Sequence, residues 1–145
     1  MNPTTTAEQL IRDYYAAFNR DDMAGFLALL ADDVIHDISQ GEREIGRERF
    51  ARFLDHMNRC YHERVADLVV MTEPGGRRAA TEYTIHGTYL ATDPGVPRST
   101  APASGQSYVL PAGAFFEIHD GKIARVSVHY NLGDWIAQVN EGTAP

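Results

Sequence analysis

The sequence is short of several things, and each shortage closes off a class of protein. It holds one cysteine, Cys60, so no disulfide framework and no cysteine-rich zinc site can form within the chain. Cys60 falls in an apolar helical pattern and reads as a packed thiol. No apolar run is long enough to span a bilayer, and the polar start from Met1 to Thr6 lacks a basic, apolar leader. No membrane association and a cytoplasmic location are therefore the expectation. Basic residues are few, 13 against 20 acidic ones. The resulting net charge of -7 argues against nucleic acid and against an anionic membrane surface. Charges alternate in sign along the chain, so the acidity serves solubility. There is no G-x-G-x-x-G, no Walker loop and no G-x-S-x-G, and Gly75-Gly76 reads as a hairpin turn. Nucleotide binding and serine hydrolysis have no support. The histidines, His36, His56, His62, His86, His119 and His129, show neither HExxH spacing nor a tight carboxylate cluster, so no metal is expected.

What is present is a chain of one-domain length, residues 1–145, with 43% apolar residues and enough of them for a real core. Thr6-Ala7-Glu8-Gln9 matches a capping box. The helix that follows places Leu10, Tyr14 and Phe18 on one face. Asn19 to Asp22 breaks it and caps a second helix with a Met23, Phe26, Leu27, Leu30 stripe. Val34 to Ile38 reads as a short strand. After Gly46 a third helix carries Phe50, Phe53, Leu54, Met57 and Tyr61 on one side. The period then changes to two. Strands are expected over Val65 to Thr72, around Ala80 to Tyr89, over Tyr108 to Ile118 and over Ile123 to Asn131, with Asp120-Gly121 a hairpin turn. The loop from Thr92 to Gln106 is long enough to be a lid or a mobile segment. Asp134 to Val139 closes the chain as a helical turn. Helices first and hairpin-linked strands afterwards imply an α+β domain with one antiparallel sheet. Such a sheet curls around its helices and leaves a pocket suited to a small apolar ligand.

Two polar residues stand out in apolar surroundings. Tyr14 lies on the Leu10–Phe18 stripe, and strand alternation groups Asp37 with Ile35, away from Val34, His36 and Ile38. Desolvation raises a carboxyl pKa from about 3.9 toward neutrality, which suits a base for a carbon acid. Each residue also has a plain reading. Asp37 could cap the turn into Ser39-Gln40-Gly41, and Tyr14 could be core with a bonded hydroxyl.

In this order of elements the chain resembles the nuclear transport factor 2-like superfamily, and more narrowly ketosteroid isomerases and SnoaL-like polyketide cyclases. The resemblance is sharpest from Tyr14-Tyr15-Ala16-Ala17-Phe18-Asn19 through Leu29-Leu30-Ala31-Asp32-Asp33-Val34-Ile35-His36-Asp37. It returns at Phe115-Phe116-Glu117-Ile118-His119-Asp120-Gly121-Lys122-Ile123. It implies a cone-shaped α+β barrel, with three N-terminal helices packed in a curved antiparallel sheet, and a homodimer through the outer sheet face. It also implies that Tyr14 is the oxyanion-hole phenol and Asp37 the general base. The family's second oxyanion acid would fall near Gly113, where Pro111-Ala112-Gly113-Ala114 has none. By register with the family, Val126, Val128 and Tyr130 line the cavity. Phe53, Met57, Phe115 and Trp135 complete the expected ligand-contacting set, although an aromatic and Met stripe also describes ordinary core. His86 and His129 could face either the cavity or the outside. The functional expectation is a cofactor-independent isomerase or cyclase that removes a proton next to a carbonyl of an apolar ligand. The alternative is a binding or interaction module that keeps the pocket without catalysis. Epoxide hydrolysis would need an Asp-Arg-Asp cluster, which the sequence does not assemble.

Overall fold

The computed structural model describes residues 6–142. Thr6 caps α1 (Ala7–Asn19) by accepting from the Gln9 amide at 3.1 Å. The Gln9 side chain does not reach back as a capping box requires. It donates forward to Asp13 at 2.8 Å. Asp21, with φ 57°, turns the chain, and Asp22 caps α2 (Met23–Ala28) by accepting from Gly25. Leu30 does not extend the α2 stripe but opens β1 (Leu30–Asp37). There follow β2 (Arg43–Ile45), α3 (Arg47–Cys60), β3 (Tyr61–Thr72), β4 (Arg78–Tyr89), β5 (Gln106–His119), β6 (Lys122–Tyr130) and α4 (Leu132–Glu141).

The strands form one sheet in the order β2-β1-β6-β5-β4-β3. From β3 to β6 it is the antiparallel meander that hairpin spacing predicts. One pairing departs from the all-antiparallel expectation, since β1 runs parallel to β6. A parallel pair needs a long crossover, and here the whole of α3 and the meander supply it. The Asp120-Gly121 hairpin has φ 50° and 72°, which the right-handed twist of the flanking strands favours. Asp67, at φ 55°, sits in a bulge between Ala66 and Val69 that bends β3. Helix α3 passes into β3 with no connecting residue, because Tyr61 is already extended at φ -136° and ψ 147°.

Alternation along β4 is complete. Ala79, Thr81, Tyr83, Ile85, Gly87 and Tyr89 point inward, while their neighbours are half-buried or exposed. The inner face meets α1 and α3 around Ile11, Phe26, Leu30, Val34, Phe116 and Val126, all essentially buried. Each such side chain contributes roughly 1.5–3 kcal/mol, against at most about 1 kcal/mol for a surface ion pair. Burial on this one face therefore holds the cone together. The 90–105 segment is stitched down by Ala101 N to Asn140 Oδ1 at 2.7 Å, Ala103 N to Thr92 Oγ1 at 2.9 Å and Gly105 N to Tyr89 O at 2.9 Å. No helix among the described residues is long and apolar enough to cross a membrane. Because Gly121 occupies the left-handed region, Gly121→Ala should lower stability by about 1 kcal/mol. Denaturant unfolding checks this; an unchanged midpoint would contradict the turn.

Candidate active site

Between the inner sheet face, α1, α3 and the 90–105 segment lies a cavity of about 610 Å³. Of the residues expected there, Tyr14, Phe53, Met57, Val128, Tyr130 and Trp135 line it. The Tyr14 ring packs at 4.3 Å from Phe26, 5.0 Å from Tyr15 and 5.3 Å from Phe116. Burial, with nearby Tyr83, pushes its phenol pKa well above the ordinary value, so it is a hydrogen-bond donor and not a phenolate.

Three expected residues lie elsewhere. Val126 is inward but fully buried in the core, and the cavity wall begins one pleat further on, at Val128. Phe115 points outward, 55% exposed, with its ring 5.5 Å from His129, while its neighbour Phe116 fills the inside. Asp37 is also on the outer face. It accepts from Arg43 at 2.6 and 3.0 Å and from Arg125 at 2.9 Å. The Arg43 bonds, aided by Arg125 and opposed by partial desolvation, hold its carboxyl below the usual range. The expected facing of β1 is thus reversed, with Val34 and His36 inward and Ile35 and Asp37 outward. The physical reason is the relative penalty of burial. A neutral imidazole is tolerated among aromatics without a partner, whereas a carboxylate there needs one, and for Asp37 two guanidinium groups stand outside. Arg125 also approaches Glu117 at 3.5 Å, so the Asp37-Arg125-Glu117 arrangement faces away from the cavity.

The cavity instead receives three polar groups that sequence reasoning missed. His36 is buried, stacked on Phe50 at 4.1 Å and edge-on to Phe53 at 4.7 Å. Burial, opposed by Asp37, brings its pKa down to about 4, so the ring is neutral. Glu63 points inward from β3 between Tyr61 and Val65 and accepts from the Tyr108 hydroxyl at 2.5 Å. Desolvation raises its carboxyl pKa and the Tyr108 bond opposes the rise. Gly87, opposite Tyr108 in the β4–β5 register, makes this bond possible, because a Cβ there would overlap the Tyr108 ring. The signal for Glu63 was legible as the alternation Tyr61, Glu63, Val65. A strand assigned from Val65, with Tyr61 assigned to the helix, hid it.

The third group sits on the rim. Asp93 accepts from Gly95 N at 2.8 Å, bonds His56 Nε2 at 3.1 Å and accepts from the Tyr61 hydroxyl at 2.7 Å. Burial pushes its carboxyl upward, but these bonds together outweigh burial and leave it below the ordinary value. Ligand atoms of His56, Cys60 and Asp93 lie within 4.8 Å of one another, the grouping among the described residues that could hold a cation. Asp93 already spends both oxygens on its three partners, which accounts for the cluster as a tie between the 90–105 segment and α3. His86 and His129 lie on the outer face, where His129 bonds Ser127 at 2.9 Å. No acid replaces the one expected near Gly113, for the inward positions of β5 there are Leu110, Ala112, Ala114 and Phe116.

A curled sheet closed over α1 and α3 with such a cavity is the nuclear transport factor 2-like architecture. Residues 11–126 match the SnoaL-like domain, and the chain belongs to that family. A candidate polyketide cyclase from Pseudomonas putida KT2440 is 63% identical, with a TM-score of 0.88 over 92% of this chain and 98% of its own. A second from Xanthomonas campestris pv. campestris is 53% identical, with a TM-score of 0.86 over 92% and 96%. An epoxide hydrolase of M. tuberculosis, 19% identical with a TM-score of 0.72 over 96% of this chain and 92% of its own, shares the fold. None of the curated proteins matches the chain.

Asp37 stabilises only while ionised. Its folded pKa lies below the unfolded value of about 3.9, so its contribution is full above that pH and fades as pH falls through the folded pKa. Asp37→Asn should therefore lower stability at pH 7 by about 1 kcal/mol and by less in acid. Any turnover should be unchanged; a hundred-fold loss of activity would return Asp37 to the site.

Proposed function

We propose that this chain is a cofactor-independent enzyme of the ketosteroid-isomerase or polyketide-cyclase type, acting on an apolar carbonyl compound. The observation that carries the reading is a carboxyl group of raised pKa, Glu63, bonded to the Tyr108 hydroxyl and set in a cavity whose wall also carries Tyr14, Phe50, Phe53 and Met57. Ionised Glu63 takes a proton from the carbon beside the carbonyl. The electron pair of that C–H bond moves onto the carbonyl oxygen, where Tyr14 donates a hydrogen bond. The proton then returns to another carbon, or the enolate attacks a second carbonyl to close a ring. The low dielectric that raises the Glu63 pKa also strengthens the Tyr14 bond to the developing oxyanion. A second reading, binding without turnover, is favoured by the alanines that occupy β5 where a second oxyanion acid would stand.

The Glu63 variants separate the two. Glu63→Gln should remove turnover by at least about a hundred-fold while leaving ligand affinity within a few-fold. The Tyr108 bond holds the Glu63 pKa down, so Tyr108→Phe should move the acid limb of the pH–rate profile to higher pH. Stability follows the opposite sense to Asp37. The folded pKa of Glu63 exceeds the unfolded value of about 4.3, so ionisation destabilises the fold, not at all below that pH and increasingly as pH rises through the folded pKa. Glu63→Gln should thus raise the Tm at pH 8 and leave it unchanged near pH 3. Undiminished turnover in Glu63→Gln would favour the binding module.

We further propose a homodimer through the outer sheet face. Val69, Met71, Val109 and Phe115 are each about half exposed there, and Met71, Ala80 and Phe115 line up across β3, β4 and β5. A second copy offers a matching apolar face under two-fold symmetry. Sedimentation should find a dimer for the native chain and a monomer for Phe115→Glu. A native monomer would overturn this.

A further inference from the structure

His36 is a polar side chain set among aromatics without a partner of its own. It is 3% exposed, yet it lines the cavity. Phe50 stacks on one face of the imidazole and Phe53 meets it edge-on, so the ring orientation is fixed before any ligand arrives. Nδ1 is sealed from solvent and has no hydrogen-bond partner. An orphaned buried N–H is disfavoured more than an orphaned lone pair, which places the proton on Nε2. Nε2–H is then the donor that His36 offers to the cavity, and the lowered pKa keeps the ring uncharged near neutral pH.

The charges around the cavity decide what that donor can meet. Asp21, Glu63 and Asp93 line it, together with His56 and His62, and among the described residues no lysine or arginine does. A carboxylate or phosphate entering here would lose its hydration, find no counter-cation and sit beside like charges. An uncharged oxygen acceptor suffers none of this and satisfies the waiting N–H. We propose that His36 Nε2–H anchors a carbonyl oxygen of an uncharged ligand, and that the cavity rejects the same scaffold when it carries a carboxylate. The inference deepens the proposed function and rests on it for the cavity being the ligand site.

Equilibrium binding at pH 7.5 tests it with probes of one shape: 2-acetylnaphthalene, the hydrocarbon 2-isopropylnaphthalene and the anion 2-naphthoate. The ketone should bind about ten-fold more tightly than the hydrocarbon, the worth of one buried hydrogen bond. The anion should bind at least about a hundred-fold more weakly than the ketone. His36→Phe should lower the ketone preference several-fold while keeping hydrocarbon affinity, the Tyr14 hydroxyl supplying whatever preference remains. His36→Gln, whose amide N–H reaches to the position of Nε2, should preserve the preference, which a packing role alone would not predict. The proposal is overturned if His36→Phe keeps the preference, if both variants lose ketone and hydrocarbon equally, if naphthoate binds as tightly as the ketone, or if no probe binds. Binding is read here without turnover. Loss of selectivity would leave the Glu63 chemistry standing, and an active Glu63→Gln would leave the His36 anchor standing.

Discussion

The hydrogen bond from Tyr108 to Glu63 is the constraint on which the site turns. A carboxyl group in an aromatic hollow is unstable company unless something holds it, and the phenol holds it at 2.5 Å. That bond exists because β4 carries a glycine at the one position where the Tyr108 ring must lie flat against the strand. Backbone, phenol and carboxyl thus form a chain of dependence from Gly87 through Tyr108 to Glu63. The energetic sense is that of many active sites, where a group raised in pKa by its surroundings weakens the fold in exchange for chemistry.

The two faces of the sheet divide the labour. Inside, the deep polar groups are a neutral His36 and a Glu63 held by the Tyr108 hydroxyl, and at the rim Asp93 is tied by three bonds. Outside, charge is paired openly, with Asp37 between Arg43 and Arg125 and with Glu117 between Arg125 and Arg78. A one-residue difference in facing along β1 separates a catalytic carboxylate from an ordinary surface ion pair. The strand settles the matter by burying the residue that loses least on leaving water.

Much of the architecture was legible in the sequence. The capping threonine, the helix break at Asp21-Asp22, the period of two from β4 onward and the Asp120-Gly121 hairpin all follow from local chemistry, and the structure shows each. The parallel β1–β6 pairing was not legible, because it joins segments separated by most of the chain and local periodicity carries no trace of it. The site was half legible. Tyr14, Phe53, Met57, Val128, Tyr130 and Trp135 line the cavity, Val128 and Tyr130 where the register of the resembled family puts them. Asp37 does not, because alternation fixes which residues share a face but not which face is inside. Glu63 escaped because helix and strand abut at Tyr61, where a change of period has no turn residue to announce it. Asp93 depends on a loop conformation that no pattern encodes.

The abutment at Cys60 and Tyr61 has a geometric consequence. With no connecting residue between α3 and β3, the helix that presents Phe50, Phe53 and Met57 runs straight into the strand that presents Glu63. The spacing between the aromatic wall and the carboxyl is therefore set by one backbone junction, at Cys60 and Tyr61, and an inserted residue there would shift every inward position of β3 to the other face of the sheet.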